Sequence, residues 1–116
     1  MTNILNRLKN EGGNDMIKHI VMWKVADHEV HGTKQEILPK IKERLEGLKG
    51  QIPGLIEIEV GFNFNSADVA YDVALYSVLE SKEALEGYQH HPKHLEIADG
   101  LVRQVAVQRV VVDYEI

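Results

Sequence analysis

Between Ile17 and Tyr114 the hydrophobic pattern switches between a two-residue and a helical period, and the order of those switches restricts the fold. Strict alternation marks a strand, because successive side chains leave opposite faces. Apolar residues three or four apart mark one face of a helix. Ile17 to Val25 alternates, with Ile17, His19, Val21 and Trp23 on one face and Lys18, Ile20, Met22 and Lys24 on the other. Both faces are apolar at mid-strand, which predicts a central strand covered on both sides. A polar loop, Asp27 to Gly32, leads to Thr33 and Glu36, spaced as a helix capping box. Ile37, Ile41, Leu45 and Leu48 then share one helical face. Pro39 lies near enough to the helix start to be tolerated, and Gly47, Gly50 and the turn Ile52-Pro53-Gly54 close the segment.

Leu55 to Phe64 alternates again, with Ile56, Ile58, Val60, Phe62 and Phe64 on the apolar face. A third strand is expected over 71–80, and Ser81 suits the N-cap of a second helical region. Pro92 must interrupt that region, because proline lacks an amide hydrogen and disfavours helix at the residue before it. Two short helices, about 81–90 and 92–101, are therefore expected, then a valine-rich strand over 103–114.

Strand, helix, strand, strand, helix, strand is the order of an α+β, ferredoxin-like split βαβ domain: a four-stranded antiparallel sheet with helices on one face. The other face is left bare, yet it too carries apolar side chains. Packing that face against a second copy buries them, which predicts a homodimer through the sheet face, a dimeric α/β barrel. With 116 residues the chain is one domain long, and a chain of this size gains from burial between subunits. The domain is expected over 16–116. Residues 1–15 form an extension, flexible or a short helix, with Ile4, Leu5 and Leu8 as its apolar stripe. It lacks the continuous apolar core of a signal peptide.

A net charge of −5 speaks against a general nucleic-acid surface, which needs a basic face. No apolar run reaches the ~20 residues of a membrane span. The chain has no cysteine, which removes disulfides and thiolate chemistry and fits a cytoplasmic protein. No glycine-rich loop joins a strand to a helix, so no nucleotide cofactor is expected, and none of another kind is indicated.

Chemistry concentrates in Tyr88-Gln89-His90-His91-Pro92-Lys93-His94, which holds three of the six histidines. His94 falls on the sheet-facing side of the second short helix, and His19 points to the same side from the first strand. An imidazole titrates near neutral pH and suits a general base. His90 and His94 are spaced like helical zinc ligands, but Pro92 breaks the helix between them, so no metal site is expected. Taken singly, each residue also has a structural explanation. His94 and His19 can be satisfied core histidines, Tyr88 an amphipathic core aromatic, and His91 a helix cap. Glu57 and Glu59 suit a solvated or interface role.

Ile17-Lys18-His19-Ile20-Val21-Met22-Trp23-Lys24, together with Tyr88 followed by His91-Pro92-Lys93-His94, resembles the stress-responsive dimeric α/β-barrel (Dabb) family across residues 16–115. The resemblance implies a ferredoxin-like dimer. A plant member of that family closes a linear polyketide by aldol condensation in a cavity between sheet and helices. Its working pair is matched here by Tyr88 and His94, and a first-strand histidine by His19. One further cavity histidine falls at Val73, a departure from that enzyme's pattern. The implied function is a small-molecule-binding dimer, with an apolar or carbonyl-containing ligand. It would act as a cofactor-free cyclase or lyase with His94 as base, Tyr88 orienting a carbonyl and His19 assisting, while Trp23 and His91 contact the substrate. A non-catalytic stress-response or ligand-binding dimer is the alternative. A cofactor-independent monooxygenase is a third reading by fold analogy. Whether the chain is an enzyme stays open at this level.

Overall fold

The computed structural model describes residues 15–116. The expected segment 1–15 therefore lies almost wholly outside the described residues. Strand β1 (Ile17–Val25) is followed by helix α1 (Lys34–Glu46), strands β2 (Leu55–Phe62) and β3 (Val73–Leu79), helices α2 (Lys82–His90) and α3 (Pro92–Ile97), and strand β4 (Ala106–Glu115). The sheet order is β2-β3-β1-β4 with every neighbouring pair antiparallel. This is the ferredoxin-like α+β arrangement, with β1 inside the sheet as its two apolar faces require.

Local sequence explains the helix boundaries. Thr33 accepts the Glu36 amide through its side chain, and Glu36 returns a hydrogen bond from the Thr33 amide, completing the capping box. Pro39 sits inside α1 without breaking it. The carbonyl it leaves unpaired is that of Gln35, which is exposed and open to water. Ser81 caps α2 through the Ala84 amide, and His91 caps α3 by accepting the Lys93 amide at 3.1 Å. Pro92 takes the first position of α3, where its missing amide hydrogen costs nothing.

The core lies between the sheet and the helices. Ile37, Ile41 and Leu45 of α1 pack over Val21, Val60 and Leu75 of the strands, all nearly inaccessible to solvent. The alternation of β1 carries straight into this layer, since Ile17, His19, Val21, Trp23 and Val25 are all buried.

Three sequence expectations are corrected. Strict alternation in β2 would place Ile56 with Ile58 in the core. A register shift between Leu55 and Glu57 instead buries Leu55 and leaves Ile56 exposed. A bulge adds one residue and so flips the inward set on one side of it. Phe64 also lies outside the strand, wholly exposed in the β2–β3 loop. Finally, the last strand begins at Ala106 rather than Arg103. Past α3 the chain makes one π-helical turn, Ala98–Val102, and a short α-helical turn, Arg103–Val105. Valine content suggested a strand there, but Val105 is buried from a helical backbone, so burial overrides β propensity.

Candidate functional site

The break at Pro92 aims the end of α2 and the start of α3 at the same part of the sheet. Tyr88, on the last turn of α2, is fully buried. Its ring lies 4.4 Å from that of His94 on α3 and 6.0 Å, edge-on, from that of His19 on β1 (centroid to centroid). The three residues from three elements therefore form one cluster. Beside it is a cavity of about 550 Å³, within the range of a small-molecule site. His19, Trp23 and Leu75 form part of its sheet side, and His94, Ala98 and Val102 part of its helix side.

The hydrogen bonds of the two histidines define their ring tautomers. His19 is buried, and its Nδ1 lies 2.5 Å from Oδ1 of Asp113 on β4. A carboxylate accepts, so Nδ1 carries the hydrogen. The Nδ1 of His94 lies 3.2 Å from the carbonyl oxygen of Gln89, which again only accepts. In a neutral ring held this way Nε2 is the basic atom. Burial pushes the His94 pKa below its ordinary value of 6.5, the Gln89 carbonyl opposes the shift, and His19 and Arg103 add to it. His94 is therefore a neutral base at neutral pH.

Tyr88 differs from the sequence expectation in one respect. It does not line the cavity but lies behind the histidine rings. Its hydroxyl is buried without a hydrogen-bond partner among the described residues. Burial also raises its pKa far above the ordinary phenol value, so it remains a neutral O–H donor. A buried unpaired hydroxyl costs about 1–3 kcal/mol and calls for an explanation.

Of the remaining residues, Trp23 lines the cavity and is buried. His91 does not line it; its Nδ1 is engaged by the Lys93 amide as the cap of α3. His90, set aside on sequence grounds, lines the cavity while its Nδ1 bonds the Glu86 carbonyl at 2.9 Å. Among the described residues no three histidine or carboxylate side chains gather as a metal-ligand set. Val73, where the plant cyclase has a histidine, is buried opposite Trp23 in the sheet and supplies no polar group.

Sequence reasoning missed Asp113, Gln89, Arg103 and Arg109. Asp113 pairs with His19 across the β1–β4 ladder, 94 residues away in sequence. The usable signal was a carboxylate directly following the apolar run Val110, Val111 and Val112.

The model of the stress-responsive A/B barrel domain family, Dabb, matches residues 17–116. The chain belongs to the Dabb family. This Dabb chain is 34% identical over 100 residues to an uncharacterised protein of Streptomyces coelicolor, covering 86% of this chain and 99% of that one. A dimeric protein of unknown function with a ferredoxin-like fold, from Bacteroides fragilis, superimposes with a TM-score of 0.75 at 32% identity. That match covers 87% of this chain and 96% of the other. The hydroxynitrile lyase of Passiflora edulis shares the fold, with a TM-score of 0.72 at 19% identity over 87% of this chain and 93% of its own.

Proposed function

We propose that this Dabb protein is a homodimeric, small-molecule-binding barrel whose cavity carries out acid–base chemistry on a carbonyl compound, as a lyase or cyclase. The observation behind this reading is the contact of Tyr88 with both His19 and His94, the two histidines lining one cavity with their Nδ1 atoms committed. Nε2 of His94 takes a proton from the carbon next to a carbonyl, leaving an enolate. The enolate carbon bonds to a second carbonyl carbon, and the resulting alkoxide takes the proton back from the His94 imidazolium. His19, oriented by Asp113, hydrogen-bonds the substrate, and the neutral Tyr88 phenol orients the carbonyl. The Passiflora protein that shares this fold is a hydroxynitrile lyase.

The dimer forms through the open sheet face. Ile20 pairs with Val112 and Met22 with Val110 across β1 and β4, and Met22, Val110 and Val112 are substantially exposed in the single chain. A second copy removes that apolar surface from water. The similar B. fragilis protein is a dimer. Among the described residues no helix is long and apolar enough to cross a membrane, and the cysteine-free composition suits the cytoplasm.

A thermal-shift and turnover screen of small carbonyl and phenolic compounds, run on wild type and His94→Ala, tests the catalytic reading. It expects a ligand that is converted by wild type and not by the variant; conversion unaffected by His94→Ala rules His94 out as the base. Binding without turnover is the second reading. The burial of Tyr88 behind the cavity favours it, since the phenol does not reach the cavity surface in this conformation.

A further inference from the structure

The cavity inverts the charge balance of the chain. The protein carries 18 acidic against 13 lysine and arginine residues. Among the described residues, however, no aspartate or glutamate lines the cavity, whereas Arg103, Arg109 and three histidines do. A cavity built only for a neutral apolar ligand gains nothing from two guanidinium groups.

The two arginines are held differently. Arg103 follows the π-helical turn, which carries Ala98 and Val102 over the cavity as well, and its Nη1 bonds Asp99 one turn earlier. A guanidinium has five N–H donors, so this bond orients the fork and leaves others free. Arg109 makes no hydrogen bond or ion pair among the described residues. It pairs with Trp23 across the β1–β4 ladder, just as Asp113 pairs with His19. Both pairs share the cavity face of the sheet, four residues apart along each strand, or about 13 Å. Arg109 thus lies one strand length from His19 on the cavity face, with Val21 between Trp23 and His19, whereas Arg103 stands nearer to His94.

We infer that the ligand is an elongated apolar molecule ending in a carboxylate, whose anionic group is taken by Arg109, with Arg103 adding positive charge to the same cavity, while its other end reaches His19 and His94. Arginine suits this task because its planar fork matches a carboxylate through two parallel hydrogen bonds. The inference rests on the cavity being the ligand site and adds the class of ligand.

The test uses the full-length protein and two matched probe pairs: decanoate with decanamide, and 3-phenylpropanoate with 3-phenylpropanamide. Affinities are read by calorimetry in low salt. Wild type is expected to bind at least one carboxylate about tenfold more tightly than its amide. In Arg103→Gln/Arg109→Gln that preference disappears. Both side chains are exposed, and an unaltered melting temperature shows that the fold is intact. Equal binding of acid and amide by wild type overturns the inference, as does a preference that survives in the double variant or the absence of binding by all four probes. The catalytic reading fails separately. A carboxylate preference without turnover of any carbonyl compound removes the base role of His94 and leaves the anion site standing. Turnover of neutral carbonyl compounds with no carboxylate preference does the reverse.

Discussion

His19 and Asp113 face each other across the β1–β4 ladder and share a hydrogen bond of 2.5 Å, so a buried imidazole on a central strand is oriented by a carboxylate on an edge strand. Replacing the partner tests this directly. Asp113→Ala strips the buried His19 Nδ1 of its acceptor and should lower stability by about 1–3 kcal/mol in urea unfolding. Asp113→Asn retains an acceptor oxygen and should cost less. If the alanine and asparagine variants unfold at the same urea concentration as wild type, the hydrogen bond does not hold His19.

The depressed pKa of His94 makes stability depend on pH with a definite sign. The unfolded chain takes up the proton near pH 6.5, whereas the folded chain resists it until lower pH. The contribution of His94 is therefore fully present above pH 6.5 and is lost as the pH falls through the folded value. Wild type should lose more stability than His94→Gln on acidification below 6.5, read as melting temperature against pH. Parallel curves for the two proteins would show that His94 is not the group responsible.

Tyr88 separates stability from chemistry. Its hydroxyl is buried and has no partner among the described residues, so Tyr88→Phe removes an unpaired polar group. The variant should be as stable as wild type or more stable by about 1 kcal/mol, while any turnover falls. Tyr88→Ala leaves a hole where a fully buried ring stood and should cost about 3–5 kcal/mol. A destabilised phenylalanine variant would mean that the hydroxyl has a partner, such as a bound water.

Gly54 occupies a position that no other residue fits without strain. Its φ is +78°, and a Cβ placed there would lie 2.6 Å from the Cβ of Ala84 on α2. Its carbonyl also accepts the Glu80 amide at 2.9 Å. Gly54→Ala should lower stability by about 2 kcal/mol or more, combining a left-handed backbone with overpacking. A melting temperature equal to that of wild type would show that α2 shifts without cost.

The open sheet face predicts its own disruption. Ile20 and Val112 are cross-strand neighbours on that face. Ile20→Glu places a charge at the proposed subunit contact and should turn a dimer into monomers at micromolar concentration in sedimentation velocity. A wild type that sediments as a monomer would contradict the dimer itself.

The order of elements, the caps at Thr33, Ser81 and His91, and the convergence of His19, Tyr88 and His94 were legible because each depends on local rules. Periodicity selects a face, a short polar side chain satisfies the first amides of a helix, and Pro92 forces a break that aims two helices at one place. Other features depend on contacts distant in sequence, which no local pattern encodes. The bulge after Leu55 reversed the expected face of Ile56, and burial drew Val105 into a helix where its β propensity suggested a strand. Antiparallel register between β1 and β4 brought Asp113 to His19 and Arg109 to the cavity. Sequence by itself determined which side chains could do chemistry on the helix-facing side of this sheet. Tertiary structure decided their partners, because strand register and helix packing set which charge meets which ring.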